Sequence, residues 1–460
     1  MADFLKSSKS IFQLTVLILI LFTFAFVYQG NNIEQPTILR KVSQWTGLGG
    51  FGEQWDQQDV TTSTTTELFT STTTMPALIL RRNFDRHYDL GEIHVKRRNT
   101  IERVCDKSKH GYYGKSKGST VAKRLVIDHR HHLVYCAVQK VGSTFLRSLL
   151  KIVNSQGVKN IDNRWKSVNK KEPQDLTQFH YFLSSSFKMM FVREPYSRLF
   201  SGYTDKLFTV NTFYWKITGT YIKNEILNHG NKSPSTCGHD ITFPQFIKYV
   251  IESEKTGRHT DRHFTPIYEH CRPCQIPYDF IGKMETFAND SLILLNAWNK
   301  RYGINIAFDD FEAETALQRA VSHTGRLYSM RENLEKCMSF YSGMQRIWRD
   351  LQIRGILPKS ASLPFTESES VNVDRSQLID ALTNAIKGVT DRAGLRQQKR
   401  EAMIQAYGQV PMKDLIKLRE VVRPDCELFG YDVSPDYIFN RTDTSGGTNS
   451  FNYFDLWNDN

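Results

Sequence analysis

Cys136-Ala137-Val138-Gln139-Lys140-Val141-Gly142-Ser143-Thr144 and Phe191-Val192-Arg193-Glu194-Pro195-Tyr196-Ser197-Arg198-Leu199-Phe200-Ser201 each read as a buried strand running into a helix, with a cation and hydroxyls at the junction. Leu133 to Val138 and Lys188 to Val192 are short, apolar and rich in β-formers, as central parallel strands are. Phe145, Leu146, Leu149, Leu150 and Val153 then recur at helical spacing, and Pro195 stands where a helix's first turn tolerates proline. The predicted fold is α/β with a parallel sheet. Backbone N–H groups at a helix start, the Lys140 ammonium and the hydroxyls of Ser143 and Thr144 suit a phosphate or sulfate. Arg193, through a bidentate fork, and Ser201 suit a second. Two such cradles suggest a nucleotide carrying phosphates at both ends. The first is not a Walker A loop, because G-x-x-x-x-G-K-[ST] is missing and the lysine precedes the glycine. Taken singly, each has a plainer reading: a structural turn at 140–144, an ion pair of Arg193 with Glu194 or another carboxylate, a solvated hydroxyl at Ser201.

The chain of 460 residues is 40% hydrophobic and 12% aromatic, ample for a sizeable core and unlike a disordered protein. Its 60 basic and 48 acidic residues leave +12, which suits nucleic acid, an anionic membrane surface or an acidic polysaccharide, or a merely soluble basic surface. No charge falls between Lys9 and Glu34, and Ile11 to Tyr28 is nearly all apolar, just long enough to cross a membrane. Without a small-x-small cleavage pattern this is predicted to be an uncleaved signal anchor at 11–28. Lys6 and Lys9 then keep residues 1–10 in the cytosol and send the rest to the lumen, a type II topology. Residues 29–100 read as a lumenal stem, Thr-rich at 61–74, either an O-glycosylated stalk or a plain disordered linker. Asn231, Asn289 and Asn440 open N-glycosylation sequons.

Seven cysteines suit an oxidising compartment. Cys105, Cys237, Cys271, Cys274, Cys337 and Cys426 lie in polar or loop-like surroundings and permit up to three disulfides, whereas Cys136, inside an apolar run, is predicted to be the odd buried thiol. Cys271-Arg272-Pro273-Cys274 with His263 and His270 nearby suggests zinc, but a structural zinc site usually has a second pair at matching spacing and none is found. Disulfides or buried thiols are favoured and no metal is expected.

Together the two stretches resemble the phosphosulfate loop (approximately P-K-V-G-C-T-N-W) and the 3′-phosphate motif (V-R-D/E-P-F-x-R-L-x-S-A-Y) of the Golgi carbohydrate sulfotransferases, the group containing the chondroitin and dermatan 4-O-sulfotransferases and the HNK-1 type. A third block, Asp261 to Cys274 followed by Tyr278 to Thr286, resembles the family's H-W-x-P…C-x-P-C…Y-D-x-I-G-K-x-E-T segment. A fourth, Pro424-Asp425-Cys426-Glu427-Leu428-Phe429-Gly430-Tyr431, resembles its closing D-F-x-L-F-G-Y. The likeness covers about residues 120 to 432, with a longer, divergent part at about 305–400. Gln139, Ser143, Phe145 and Leu146 depart from the family's loop, which puts the acceptor subgroup in doubt.

The resemblance implies a P-loop-like, parallel-sheet sulfotransferase fold over residues 101–435, with 436–460 as a tail, and transfer of a sulfuryl group from 3′-phosphoadenylyl sulfate (PAPS) to a sugar hydroxyl without a metal. Gln139, Lys140, Val141, Gly142, Ser143, Thr144 and Phe145 would hold the 5′-phosphosulfate, and Arg193, Glu194, Pro195, Tyr196, Ser197, Arg198, Leu199, Phe200 and Ser201 the 3′-phosphate. Lys140 would neutralise the oxygen bridging sulfur and phosphorus as that bond breaks. His263 is the first candidate for general base, against a structural histidine beside the cysteines; Glu285 is second, and nothing in its spacing singles out His180. The implied partners are an acidic glycan or proteoglycan, most nearly the 4-hydroxyl of N-acetylgalactosamine in chondroitin or dermatan, and the Golgi membrane, not nucleic acid; a homo-oligomer is left open. The segment from Phe308 to Met403, with apolar spacing at Phe340, Met344, Ile347, Trp348 and Leu351, reads either as a cleft-shaping insertion or as a solvated accessory helix. Two other classes stay open: a catalytically silent Golgi glycan-binding protein, and a membrane-bound phosphotransferase using ATP.

Overall fold

Among the described residues four strands form one sheet in the order β1-β2-β3-β4: β1 Leu125–Asp128, β2 Leu133–Cys136, β3 Phe187–Val192 and β4 Phe280–Lys283. In this computed structural model the description covers residues 90–107, 125–155, 182–227, 236–303, 306, 310–440 and 451–455, all within one compact unit. β2, β3 and β4 run parallel, with Cys136 opposite Met190 and Val192 opposite Lys283. Every residue of β2 and β3 is buried, which explains their unbroken apolar runs. The sheet is mixed rather than wholly parallel, because β1 pairs antiparallel with β2. Only four residues separate the two, too few for a crossover, and Asp128 closes the turn by accepting from the amides of Arg130 and His131.

The helices that matter here are α1 Glu92–Lys107, α2 Ser143–Ser155, α3 Pro195–Tyr203, α4 Phe243–Thr256, α5 Ile267–Cys271, α6 Phe287–Tyr302, α7 Phe311–Ser329, α8 Phe340–Ile353, α9 Arg375–Lys387, α10 Arg392–Gly408 and α11 Met412–Phe429. α2 and α3 start just beyond the carboxyl ends of β2 and β3, so both of their N-termini open at the same edge of the sheet, where α/β proteins bind ligands.

Packed residues lie beyond the expected limits of 101–435 at both ends. α1 begins at Glu92, inside the expected stem, and is clasped to β4: Arg97 Nη1 donates to Ile281 O at 2.8 Å and to Asp290 Oδ2 at 2.7 Å, and Arg98 Nη1 donates to Asp279 O at 2.8 Å. Its polar sequence hides this, because the helix is held by guanidinium bonds rather than by an apolar stripe. At the other end Ile438 and Tyr453, in the expected tail, are buried with Tyr196, Phe200 and Tyr407. The divergent segment is not a solvated accessory helix: Phe340, Met344, Ile347, Trp348 and Leu351 of α8 pack with Ala320 and Leu327 of α7 and Leu378 and Leu382 of α9 as a second core. The anchor expected at 11–28 and the Thr-rich stretch lie outside the described residues; among those described, no helix is long and apolar enough to cross a membrane.

Three disulfides are present: Cys105–Cys274, Cys136–Cys271 and Cys237–Cys337. Cys136 is therefore not the odd thiol; the buried Cys426 is. The apolar run that suggested a free thiol is β2 itself, whose last residue meets Cys271 at the end of α5. Cys271 and Cys274 are spent on different bridges, so they do not form the zinc pair considered above. Non-reducing peptide mapping should recover these three pairs and an unpaired Cys426. Cys136→Ser should lower unfolding free energy by about 2–5 kcal/mol, a cost typical of a lost native bridge.

Candidate active site

The loop leaving β2 turns twice through left-handed backbone, at Lys140 (φ 67°) and Gly142 (φ 78°), before α2 begins at Ser143. A lysine in that conformation costs on the order of 1 kcal/mol or more, so its surroundings must hold it there. Two arginines from the second stretch do so. Arg193 Nη1 donates to Lys140 O at 3.3 Å, and Arg198 Nε donates to Gln139 O at 3.1 Å. Gly142 is required on two counts, since a Cβ there would also lie 2.7 Å from the Phe287 ring. Phe145, which departs from the resembled pattern, packs edge-on against Phe287 and Phe311. Thr144 is exposed at the helix start and Ser143 half-buried.

Arg198 spends the rest of its guanidinium on the third block, donating to Thr265 O at 2.8 Å and Arg262 O at 3.3 Å. Burial pulls its pKa down to about 10. Glu194 does not answer Arg193; it caps α3, accepting from the amides of Tyr196 and Ser197, and burial, with Glu285 adding to it, raises its pKa to about 7. Arg193 instead donates to Ser197 Oγ at 2.9 Å. Of the remaining residues at 193–201, Tyr196, Leu199 and Phe200 belong to the core, as does Val141 in the loop, so they shape the site by packing rather than by meeting a ligand.

The fourth block clamps the third. Asp425 accepts from the amides of Ile267 and Tyr268, Lys283 Nζ donates to Phe429 O at 2.7 Å, and the Tyr431 hydroxyl donates to Glu285 Oε2 at 2.8 Å. Glu285 Oε1 accepts from the Glu194 amide at 2.9 Å. Both oxygens of this second base candidate are thus occupied, and its role is to position the start of α3.

A charge network unseen in the sequence connects the cradles. Lys140 Nζ donates to Asp205 Oδ2 at 2.7 Å; Asp205 also lies 3.4 Å from Arg326 and 3.6 Å from His323 Nε2. His323 Nδ1 is 3.2 Å from Asp350, which holds Arg354 Nε at 2.7 Å, and Arg354 reaches Ser201 Oγ at 3.4 Å and Thr204 Oγ1 at 2.9 Å. Burial opposes ionisation of Asp205, yet Lys140, Lys206, His323 and Arg326 outweigh it and hold the carboxyl well below its usual range. Burial, then repulsion by Arg354, Arg319 and Lys206, makes Lys140 release its proton more readily than a surface lysine, although Asp205 resists. A π-helical turn, Thr204–Phe208, follows α3 and carries Asp205. Asp205 lies four residues after Ser201, and that helical spacing is the one sequence signal for it; no sequence signal points to His323 or Arg354.

His263 is buried, and its Nδ1 lies 2.7 Å from both Asp261 Oδ1 and the Tyr214 hydroxyl. Burial opposes the Asp261 charge, but the bond to His263 outweighs it and holds the carboxyl at about 2. Lys206 Nζ sits 4.6 Å over the Tyr214 ring and 3.7 Å from Asp205 Oδ2, so Tyr214 and Lys206 stand between His263 and the Asp205–Lys140 pair. His180 and Asn231 lie outside the described residues; Asn440 is exposed, and Asn289 is exposed while its sequon partners Asp290 and Ser291 are buried.

Residues 123–336, which contain the loop, α3 and the third block, match the family described as "Sulfotransferase family". Residues 123–336 are a sulfotransferase-family segment. Similar curated proteins are carbohydrate sulfotransferase 14 of Mus musculus (28% identical over 177 residues, 37% of this chain and 46% of that protein) and carbohydrate sulfotransferase 11 of Rattus norvegicus (32% over 192 residues, 38% and 52%). Carbohydrate sulfotransferase 8 of Homo sapiens is 24% identical over 258 residues, 54% of this chain and 60% of that protein. The chain spans about half the length of the curated relatives it matches. No solved structure matches it. Arg354, α8 and α10 lie beyond the matched residues.

Gly142→Ala should cost about 2 kcal/mol or more in thermal unfolding, from the left-handed backbone and the Phe287 contact together. Adding Phe287→Leu should make the double variant lose less than the sum of the two single losses, because the residues touch.

Proposed function

We propose that the chain transfers a sulfuryl group from PAPS to a glycan hydroxyl. The bond from Arg193 to the Lys140 carbonyl carries this reading, since it sets the two anion cradles side by side with a cation in each. The residues fit such a donor: left-handed loop backbone, Lys140 and the exposed Thr144 hydroxyl at one end, and Arg193 and Ser201 at the other. PAPS supplies an activated sulfuryl group. Lys140 offers Asp205 one proton of its ammonium and keeps the others for the charge that grows on the departing oxygen. Holding both ends of the nucleotide fixes the reacting sulfur relative to the acceptor. His263, oriented by Asp261, is the base we assign to the sugar hydroxyl.

The acceptor we propose is the 4-hydroxyl of N-acetylgalactosamine in chondroitin or dermatan, supported by the likeness to the 4-O-sulfotransferase group and the +12 charge. The site of action we propose is the Golgi lumen, on a single-pass type II anchor; three disulfides suit an oxidising compartment.

Incubation with radiolabelled PAPS and a panel of desulfated glycans tests the reading. Label should enter chondroitin or dermatan at the 4-position, and Lys140→Ala should lower kcat by at least about a hundredfold, as expected when a donor to developing charge is lost, with the thermal transition retained. Label confined to the 6-position would overturn the acceptor assignment. Binding of glycan without turnover, or faster transfer from ATP with Mg²⁺, would overturn the reaction.

A further inference from the structure

Arg354 follows the last residue of α8 and lies along α3. Its Nε is held by both oxygens of Asp350 at 2.9 and 2.7 Å, which leaves Nη1 and Nη2 directed at Ser201 Oγ and Thr204 Oγ1. Gly355 continues in left-handed backbone, and a Cβ there would stand 2.2 Å from Leu395 O and 3.2 Å from Lys399 Cβ. The Arg354-Gly355 turn is therefore pressed against α10 at Lys399.

Lys399 makes no hydrogen bond or ion pair with any described residue. The charges that act on it are Arg193, Arg354 and Arg319, all repulsive, and Glu285, attractive. Yet Glu285 already serves the Glu194 amide and the Tyr431 hydroxyl, and Asp350 serves Arg354. The Lys399 side chain is exposed, yet the protein crowded around its ammonium and then the three guanidinium groups bring its pKa down to about 8. Gathered cations with too few carboxylates are costly until an anion joins them. A terminal phosphate monoester, nearly dianionic and with three acceptor oxygens, suits two forks and an ammonium.

We propose that Arg354 and Lys399 join Arg193 and Ser201 around the donor's 3′-phosphate, so that α8 and α10, outside the family match, set the preference for a 3′-phosphorylated nucleotide. This rests on the donor reading above. The 3′ end is favoured over an anionic group of the acceptor because Arg354 touches Ser201 and Arg193 heads the charges acting on Lys399, both belonging to the α3 cradle rather than to the Lys140 loop.

The test is calorimetric titration of the full chain with adenosine 3′,5′-bisphosphate and with adenosine 5′-monophosphate. Wild type should bind the bisphosphate at least about tenfold more tightly, and Lys399→Gln should lose about tenfold on the bisphosphate alone, the scale of one charge-assisted bond. Lys399→Arg should restore it. Bisphosphate affinity should fall as pH rises through about 8, where Lys399 loses its proton, and stay level in Lys399→Arg. Equal losses on both nucleotides, no loss on the bisphosphate, or a rise confined to the KM for glycan would overturn the inference while leaving the donor reading intact. If wild type binds neither nucleotide, the donor reading itself falls.

Discussion

Arg198 is almost wholly buried and gives its guanidinium to three main-chain carbonyls, those of Gln139, Arg262 and Thr265. A buried cation of this kind is tolerated only when its donors are met, and each carbonyl left unmet would cost about 1–3 kcal/mol. Through these bonds one side chain of α3 joins the loop after β2 to the segment carrying His263. Arg193, one turn away, adds the bond to Lys140 O that keeps a lysine in left-handed backbone. The fourth block then closes on the third through Asp425, Lys283 and Tyr431. Four separated pieces of sequence are thereby one rigid body around the sheet's carboxyl edge.

Charge is balanced unevenly across that edge. At the loop end Asp205 answers Lys140 and Arg326, and Asp350 beyond it orients Arg354 towards α3. At the far end Arg193 and Lys399 have no carboxylate to themselves, since Glu194 is engaged with backbone amides and Glu285 with one amide and the Tyr431 hydroxyl. The first arrangement holds the Lys140 ammonium in place; the second leaves a deficit of negative charge.

β2, β3 and the turns from them into α2 and α3 were legible because each rests on local signals: an apolar run, a turn and a helix start within a dozen residues. The disulfide partners were not, because Cys136 and Cys271 are 135 residues apart and only the folded sheet brings them together. Nor was the extent of the packed domain, since α1 is fixed by Arg97 bonding to β4 and Arg98 to Asp279 O, and residues 451–455 by Tyr453 in a distant aromatic core. The loop's departures acquire reasons only in three dimensions: Gln139 is read through its carbonyl, and Phe145 fills an aromatic corner with Phe287 and Phe311. Arg354 and Lys399 carry no motif, and their place depends on how α8 and α10 pack.

The central claim is that the two cradles form one nucleotide site. A crystal structure of the full chain with adenosine 3′,5′-bisphosphate tests it most directly. The account expects a single nucleotide, its 5′-phosphate on the 140–144 loop and its 3′-phosphate on Arg193 and Ser201. A nucleotide bound elsewhere, or one phosphate left in solvent with the other cradle empty, would contradict it.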